Sequence, residues 1–422
     1  MIRKHRKVIF GVLGLIVTLI VAGVSLVALR NSDSSTYPHE PSPVPITLSD
    51  APSNLKIGVI ETMSTDSNEG GGWSEAGQGV LVSAYRLRLG GVDVELRITN
   101  DYGTNDGART AIQDLKQQSV SGIIALTSGA HAHVLAEEAH KAGIPIIFPY
   151  ESNLPELTGV WSLASEENAG NKWVDRALHN VGGHRPVVIR ADGADSWEGE
   201  AALELSYSLG QDDTKFVEEL LTSFESYSFD SVVILGNPIA SARVTALAQA
   251  AGVTYPLIVS PACRNPLFAS TLANQGLLSA DITSVGVPDA DIVALESTNQ
   301  GNQAAAFFTA IRAMNAAKNE MTLEKDRPFS EVAAYADALS HDALIALVRA
   351  AAEAKSTNPT HVASALETLT LTSDDSVIHA PLDFSHSHVM DKDSYAVVKG
   401  TSDTTGLRGV DSNTLIWFGE EQ

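Results

Sequence analysis

The chain predicts an α/β protein of two doubly wound parallel sheets behind an N-terminal apolar helix. Three observations carry that prediction: a strand–helix–strand unit near the middle of the N-terminal half, continued alternation of apolar runs with amphipathic helices around it, and 422 residues, enough for two ordinary domains. The unit spans Val120 to Leu157. Gly122 to Leu126 (GIIAL) suits a strand buried on both faces, and Thr127-Ser128-Gly129 after it is a helix start signal. Ala130 to Ala142 holds good helix formers, Gly143 stops them, and Ile144 to Phe148 forms the next strand before Pro149-Tyr150-Glu151-Ser152. Parallel sheets carry ligand sites at the carboxyl ends of their strands, so the loops to watch are Thr127 to His131 and Pro149 to Asn153. Both offer a hydroxyl, and the first adds backbone N–H groups at a helix N-terminus, which suits a carboxylate or another acceptor-rich group. Ser128 has two readings here, a ligand contact or a cap of its own helix.

A content of 44% hydrophobic and 19% charged residues is that of a globular protein. Cys263 is the single cysteine, so no internal disulfide forms and stability comes from packing and hydrogen bonds. The formal charge of −23 is unevenly spread. Residues 1 to 30 hold Arg3, Lys4, Arg6, Lys7 and Arg30 with no acid, leaving 23 basic against 51 acidic residues in the rest. Nucleic acid is a poor partner for such a surface, because phosphate binding needs a basic patch.

Val8 to Leu29 is an uncharged run of 22 residues, long enough to cross a hydrocarbon core, and the basic cluster before it places the N-terminus in the cytoplasm. The expectation is an uncleaved single-pass anchor over residues 1–30 with everything beyond outside the cell; a cleaved, secreted form is the competing reading. Residues 31–54, rich in Ser, Pro and Asp, read as a flexible tether. Leu55 to Ile60 is the first buried strand, the Gly-rich stretch Glu61 to Trp73 a loop at the mouth of a cleft, and Ser74 to Leu89 a helix. Gly70-Gly71-Gly72 lacks the lysine of a phosphate loop. Val92 to Asn100 alternates as a strand, and Thr104 to Gln117 is an amphipathic helix. Further on, Glu167 to Val181, Ser196 to Leu209 and Pro238 to Ala251 read as helices, interleaved with strands at Pro186 to Arg190, Ser231 to Leu235, Pro256 to Val259 and Ile282 to Val285. Three helices follow (Asn302 to Lys318, Ser330 to Lys355, Pro359 to Leu369), then strands near Pro381 to Phe384, Tyr395 to Lys399 and Leu415 to Phe418.

The order of these pieces resembles the type I periplasmic substrate-binding proteins, in particular the branched-chain amino-acid-binding branch that serves ABC transporters. The resemblance rests on LKIGVIETMS with GQG at Gly77 to Gly79, the TSGA turn after GIIAL, AGIPIIFPYESN with PELT, DSWEG at Asp195 to Gly199, SVVILGNP followed by AQAAGV, and AAYADALSHDALIALVRAAAEA. It implies a clamshell of two Rossmann-like lobes crossed three times by the chain. Lobe one would be residues 55–164 with 286–371, and lobe two 165–285 with 372–422. It further implies that Ser128 and Ser152, with Gly129 in the turn, hold a ligand carboxylate. Glu166 would help hold an ammonium, Trp197 would pack over the ligand, and Tyr150 would complete the lobe-one half. Where amino-acid binders often place a second ammonium-binding glutamate, this chain has Ala262 in SPACRN, with Arg264 nearby, and losing that carboxylate removes a charge-assisted bond. Glu151 is the candidate replacement, and its pairing with Tyr150 is similar to the urea and short-amide binders of the same superfamily.

His131-x-His133 cannot chelate together on a helix, since residues two apart point about 200° away from each other. His133, Glu137 and His140 share a face that reads as solvated surface, and His386, His388, Asp391 and Asp393 read as turn chemistry, so no metal site is assigned. With no G-x-S-x-G, H-E-x-x-H or C-x-x-C motif, no catalytic residue or cofactor is expected either. The expected function is capture of a small polar solute (an amino acid, amide or related compound) and its delivery to ABC permease subunits. The alternative is a membrane-tethered sensor or regulator of envelope proteins on the same fold.

Overall fold

Short β-branched runs become strands in this chain wherever both of their faces can be covered. The computed structural model describes residues 42–419 apart from 64–69, 167–171, 195–196, 227, 277, 279–281, 318 and 410–413. Strands β1 (Leu55–Glu61), β2 (Val94–Asn100), β3 (Gly122–Leu126), β4 (Ile146–Phe148) and β5 (Val160–Ser162) form one parallel sheet in the order β2-β1-β3-β4-β5. Ile57 pairs with Leu96 on one side and Gly122 on the other. Helices α1 (Trp73–Gly77), α2 (Gly79–Leu89), α3 (Asn105–Gln117) and α4 (His131–Ala142) connect these strands. Adjacent residues Ile123 and Ile124 enter opposite cores, the first under α3 and α4 with Leu115 and Leu135, the second with Val80 and Leu87 of α2. Thr104 opens α3 by accepting the Gly107 N–H at 3.0 Å.

The second sheet collects β6 (Pro186–Ala191), β7 (Leu203–Tyr207), β8 (Ser231–Leu235), β9 (Leu257–Val259), β10 (Ile282–Gly286), β13 (Ala396–Thr401) and β14 (Ile416–Gly419) in the order β14-β13-β10-β9-β8-β6-β7. It is parallel from β10 to β7, while β13 and β14 pair antiparallel at its other edge. Helix α5 (Lys172–Val181) packs on one face through Trp173 and Val174; α6 (Asp213–Ser226), α7 (Pro238–Ala250) and α8 (Pro266–Asn274) cover the other through Phe216, Val244 and Phe268. After β10 the chain returns to the first sheet through α9 (Ala290–Val293), α10 (Asn299–Ala317), α11 (Ala338–Ala354) and α12 (Pro359–Leu366), then β11 (Thr370–Leu371), which pairs with β12 (Leu382–Asp383).

Four sequence expectations change. The helix read over Ser196 to Leu209 is instead the edge strand β7: its Ala, Glu and Leu content favours helix, but burial of Leu205 and Tyr207 on one side beside β6 selects the extended form. Strand β5 and helices α6 and α8 went unassigned: β5 is only three residues long and gives little periodicity, whereas α6 carries a helical period at Phe216, Leu220 and Phe224 that the sequence reading passed over. The tether does not run to Asn54: Ile46 is buried, and its N–H donates to Arg86 O at 3.0 Å. The third crossing also moves. Leu382, Phe384, Val389 and Met390 share the first sheet's core, so the chain leaves lobe one after Met390 and not at Leu371. Buried Asp342 of α11 pins this segment by accepting the N–H groups of Ile378 (3.0 Å) and His379 (2.8 Å). Burial pushes its carboxyl up, and the bonds from His341 and His379 outweigh that and hold it far below the usual range. The apolar run Val8 to Leu29, the tether up to Pro41, the helix start at Glu167 and Asp195-Ser196 lie outside the described residues. Among the described residues no helix is long and apolar enough to cross a membrane.

The β13–β14 connection belongs to the second sheet yet docks on the first lobe. Arg408 donates from Nη2 to Asp291 Oδ2 at 2.6 Å and from Nη1 to the Ala334 and Ala336 carbonyls at 2.7 Å, with its guanidinium 5.2 Å from the Phe308 ring centre. Asp291 is fully buried, so Arg408→Ala leaves an uncompensated buried carboxylate. The expected cost is about 3–5 kcal/mol, read as a lower urea midpoint, whereas Arg243→Ala at the half-exposed pair with Asp213 costs about 1 kcal/mol or less.

Candidate functional site

The carboxyl ends of the parallel strands of both sheets open into one cavity of about 860 Å³. On the lobe-one side, β3 runs into the turn that holds Ser128 and Gly129. Gly129 has φ = 106°, a conformation that side chains resist. Helix α4 then starts with Ala130 at its N-cap and no side-chain cap, so Ser128 does not cap it. Its hydroxyl accepts Trp73 Nε1–H at 3.0 Å. Trp73 stacks on Tyr150 with ring centres 4.1 Å apart and planes 8° apart, and the Tyr150 hydroxyl donates to Asp337 Oδ1 at 2.9 Å. Burial pushes the Tyr150 phenol and the Asp337 carboxyl up; for Tyr150 the adjacent Asp337 charge adds to this.

Glu151 reaches back over the start of α4. Its Oε2 accepts the Gly129 N–H at 2.6 Å and its Oε1 the Asn153 N–H at 2.7 Å. Burial raises its pKa, while those N–H groups pull it down. Ser152 is buried on the cavity wall, and its carbonyl accepts His388 Nε2–H at 3.0 Å. Thus Ser128, Gly129, Tyr150, Glu151 and Ser152 all line the cavity. Glu166 is exposed and Trp197 lies in the second-lobe core with its Nε1–H on Asp175 Oδ1 (3.3 Å); neither lines the cavity, and Trp173 of α5 stands there instead.

From the second lobe come the Gly236-Asn237 turn after β8 and the segment Ser260 to Leu267 after β9. Asn265 Oδ1 caps α8 at the Leu267 N–H (2.8 Å), and its Nδ2 donates across the cleft to Gly71 O at 3.0 Å. The approach needs a glycine beside it: a Cβ on Gly72 would lie 2.5 Å from Asn265 Oδ1. Arg264 pairs with Asp289 at 2.9 Å, so it and Arg408, both on the wall, are already neutralised. The sequence analysis missed Trp73, Asn265, Asp337 and Arg408. For Trp73 a signal existed, since it ends the Gly-rich stretch expected at a cleft mouth; the others come from segments distant in the chain.

His131 points away from the cavity, with Nε2 2.8 Å from Thr127 Oγ1 and 3.2 Å from Asp101 Oδ2, while His133 lines it. Among the described residues no group of three His, Cys, Asp or Glu side chains is placed to hold a metal. The Cys263 thiol is buried and pushed up to about 12, which keeps it protonated and unreactive at neutral pH.

Two α/β lobes facing each other across a cavity of mixed polar and apolar lining define the architecture of a bilobed binding protein. A family model described as periplasmic binding protein matches residues 54–404, and the chain belongs to that family. Solved structures share the fold at low identity. The branched-chain amino acid transporter substrate binding protein LivJ from Streptococcus pneumoniae, in complex with isoleucine, is 16% identical with a TM-score of 0.60, over 86% of this chain and 99% of its own. A periplasmic binding protein type 1 from Bordetella pertussis is 15% identical with a TM-score of 0.61, over 87% and 100%. An ABC transporter substrate-binding protein from Desulfitobacterium hafniense, in complex with Leu, is 13% identical with a TM-score of 0.57, over 86% and 100%. Among curated protein sequences none matches the chain.

Beside the cavity, at the end of β1, Glu61 is fully buried and no N–H group reaches its carboxyl oxygens. Burial, followed by the nearby carboxylates of Glu324, Asp326 and Asp101, raises its pKa well above the ordinary value. An unfolded chain releases this proton near pH 4.5 while the fold retains it, so the contribution of Glu61 to stability is present below that pH and lost as pH rises. Glu61→Gln, which cannot ionise, is therefore expected to melt like wild type at pH 4 and about 2 °C or more above it at pH 8, measured by calorimetry across that range.

Proposed function

We propose that this protein is an extracytoplasmic solute receptor that captures a small polar solute between its lobes and delivers it to an ABC permease. The observation that supports this reading most directly is the cavity of about 860 Å³, lined from both lobes and bridged at its mouth by Asn265 and Gly71. A bridge of this kind stabilises the closed lobes, and closure about a hinge is how two lobes trap a ligand. Ser128, Gly129, Tyr150, Glu151 and Ser152 are the proposed lobe-one contacts, and the segment Ser260 to Leu267 the facing wall. No residue is assigned a catalytic role.

The 22-residue apolar run at Val8 to Leu29 favours a tethered form and keeps open a second reading, a membrane-anchored sensor that uses the same cavity without transport. Affinity capture from membranes separates the two: permease and ATPase subunits are the expected partners of a transport receptor, envelope enzymes those of a sensor.

A screen of amino acids, amides, urea and short peptides is expected to find a solute that raises Tm by several degrees at a hundredfold excess over its Kd, equivalent to about 2.7 kcal/mol. Asn265→Ser keeps a residue able to cap α8 but cannot reach Gly71. It is expected to weaken that solute about two- to tenfold in calorimetric titration, mainly through faster release. An unchanged Kd would remove the bridge from the closing mechanism.

A further inference from the structure

The backbone N–H that would meet a ligand carboxylate is already engaged inside this protein, which leaves the uncharged hydroxyls of Ser128 and Ser152 as the donors there. The Gly129 N–H at the start of α4 is bound by the Glu151 carboxylate at 2.6 Å, and the Ser128 hydroxyl carries the Trp73 indole. The fixed positive charges are spent as well. Among the described residues the two arginines on the cavity wall are held by carboxylates, Arg264 by Asp289 and Arg408 by Asp291, and no lysine lines the cavity. Removing these pairs from the balance leaves Glu151 and Asp337 without a direct ion pair: the first is bonded by backbone N–H groups with His133 near it, the second by the Tyr150 hydroxyl and the Ser340 N–H with His379 and Arg408 near it. The only other basic side chains on the wall among the described residues are His133 and His379, and His379 already bonds to Asp342. A carboxylate-bearing solute entering here would lose its water without gaining a donor of opposite charge, and would face two carboxylates in a medium that screens poorly. A cation gains from the same arrangement, because a carboxylate fixed by two N–H bonds keeps lone pairs for a further donor.

We infer that the solute is an amine or guanidine cation with no carboxylate, its N–H donors directed at Glu151, which sits where the carboxylate of an amino acid was expected. This rests on the receptor reading above and narrows its ligand class.

The test compares matched pairs on the full-length protein by calorimetric titration and thermal shift: 3-methylbutylamine against leucine, cadaverine against lysine, agmatine against arginine, with 3-methylbutanamide as the neutral amide. At least one amine or guanidine is expected to bind tenfold or more tightly than its parent amino acid and than the amide. Glu151→Gln is expected to weaken that compound tenfold or more, and Asp337→Asn, which keeps an acceptor for Tyr150 and Ser340, to weaken it severalfold. Tighter binding of a parent amino acid, or of the amide, would overturn the inference while leaving the receptor reading standing. Unchanged affinity in both variants would overturn it too. If none of these compounds binds but another solute in the broad screen does, the receptor reading survives and the cation assignment falls; if nothing binds in either, both fall.

Discussion

Strands buried on both faces leave the polar chemistry of a protein only at their ends, and that constraint organises this molecule. The five strands of the first sheet, and those from β10 to β7 in the second, run parallel between two layers of helices. Every connection must then cross back over a face, and the loops at the carboxyl ends are free of packing duty. Placing two such sheets end to end puts two sets of loops around one space. The cavity is thus a consequence of the winding, and the residues in it are a separate matter.

In and behind those loops stands a set of carboxylates, each with a defined partner. Asp291 and Asp289 hold arginines, Asp342 holds two histidines and two backbone N–H groups, Asp337 holds a tyrosine, and Glu151 closes the start of α4. A buried ion pair is weak evidence for stability in general, but breaking one is costly because the remaining charge is stranded. Several of these pairs join segments far apart in the chain: Arg408 lies 117 positions from Asp291, and Tyr150 lies 187 from Asp337. They act as staples that set how the lobe-two tail and helix α11 sit at the cavity wall.

The parts of the fold legible in the sequence were those with strong local signals. GIIAL followed by a helix and IIF, the helix over Thr104 to Gln117, and the Pro238 start of α7 emerged close to where they were expected. Strand β7 did not, because LELSY inside an Ala- and Glu-rich stretch satisfies helix propensity until a neighbouring strand is present. Ile46 did not, because one apolar residue among prolines and serines has no period to reveal it. The end of lobe one was misplaced for a similar reason: Phe384 and Met390 stand singly among polar residues, and the core they join is assembled from α11, α12 and the strands of the first sheet.

For the cavity, the sequence by itself determined two of the loops that line it and five residues there that are polar or glycine: Ser128, Gly129, Tyr150, Glu151 and Ser152 stand at strand ends because strand and turn signals are local. Only the tertiary structure decided what those residues do. Whether the Gly129 N–H is open or bound by Glu151, whether Arg264 is free or held by Asp289, and whether Trp197 or Trp173 reaches the cavity depend on contacts between segments that packing brings together. Electrostatic free energy depends on the distance between charges in space and on their exposure to water, and neither quantity is written in the order of residues.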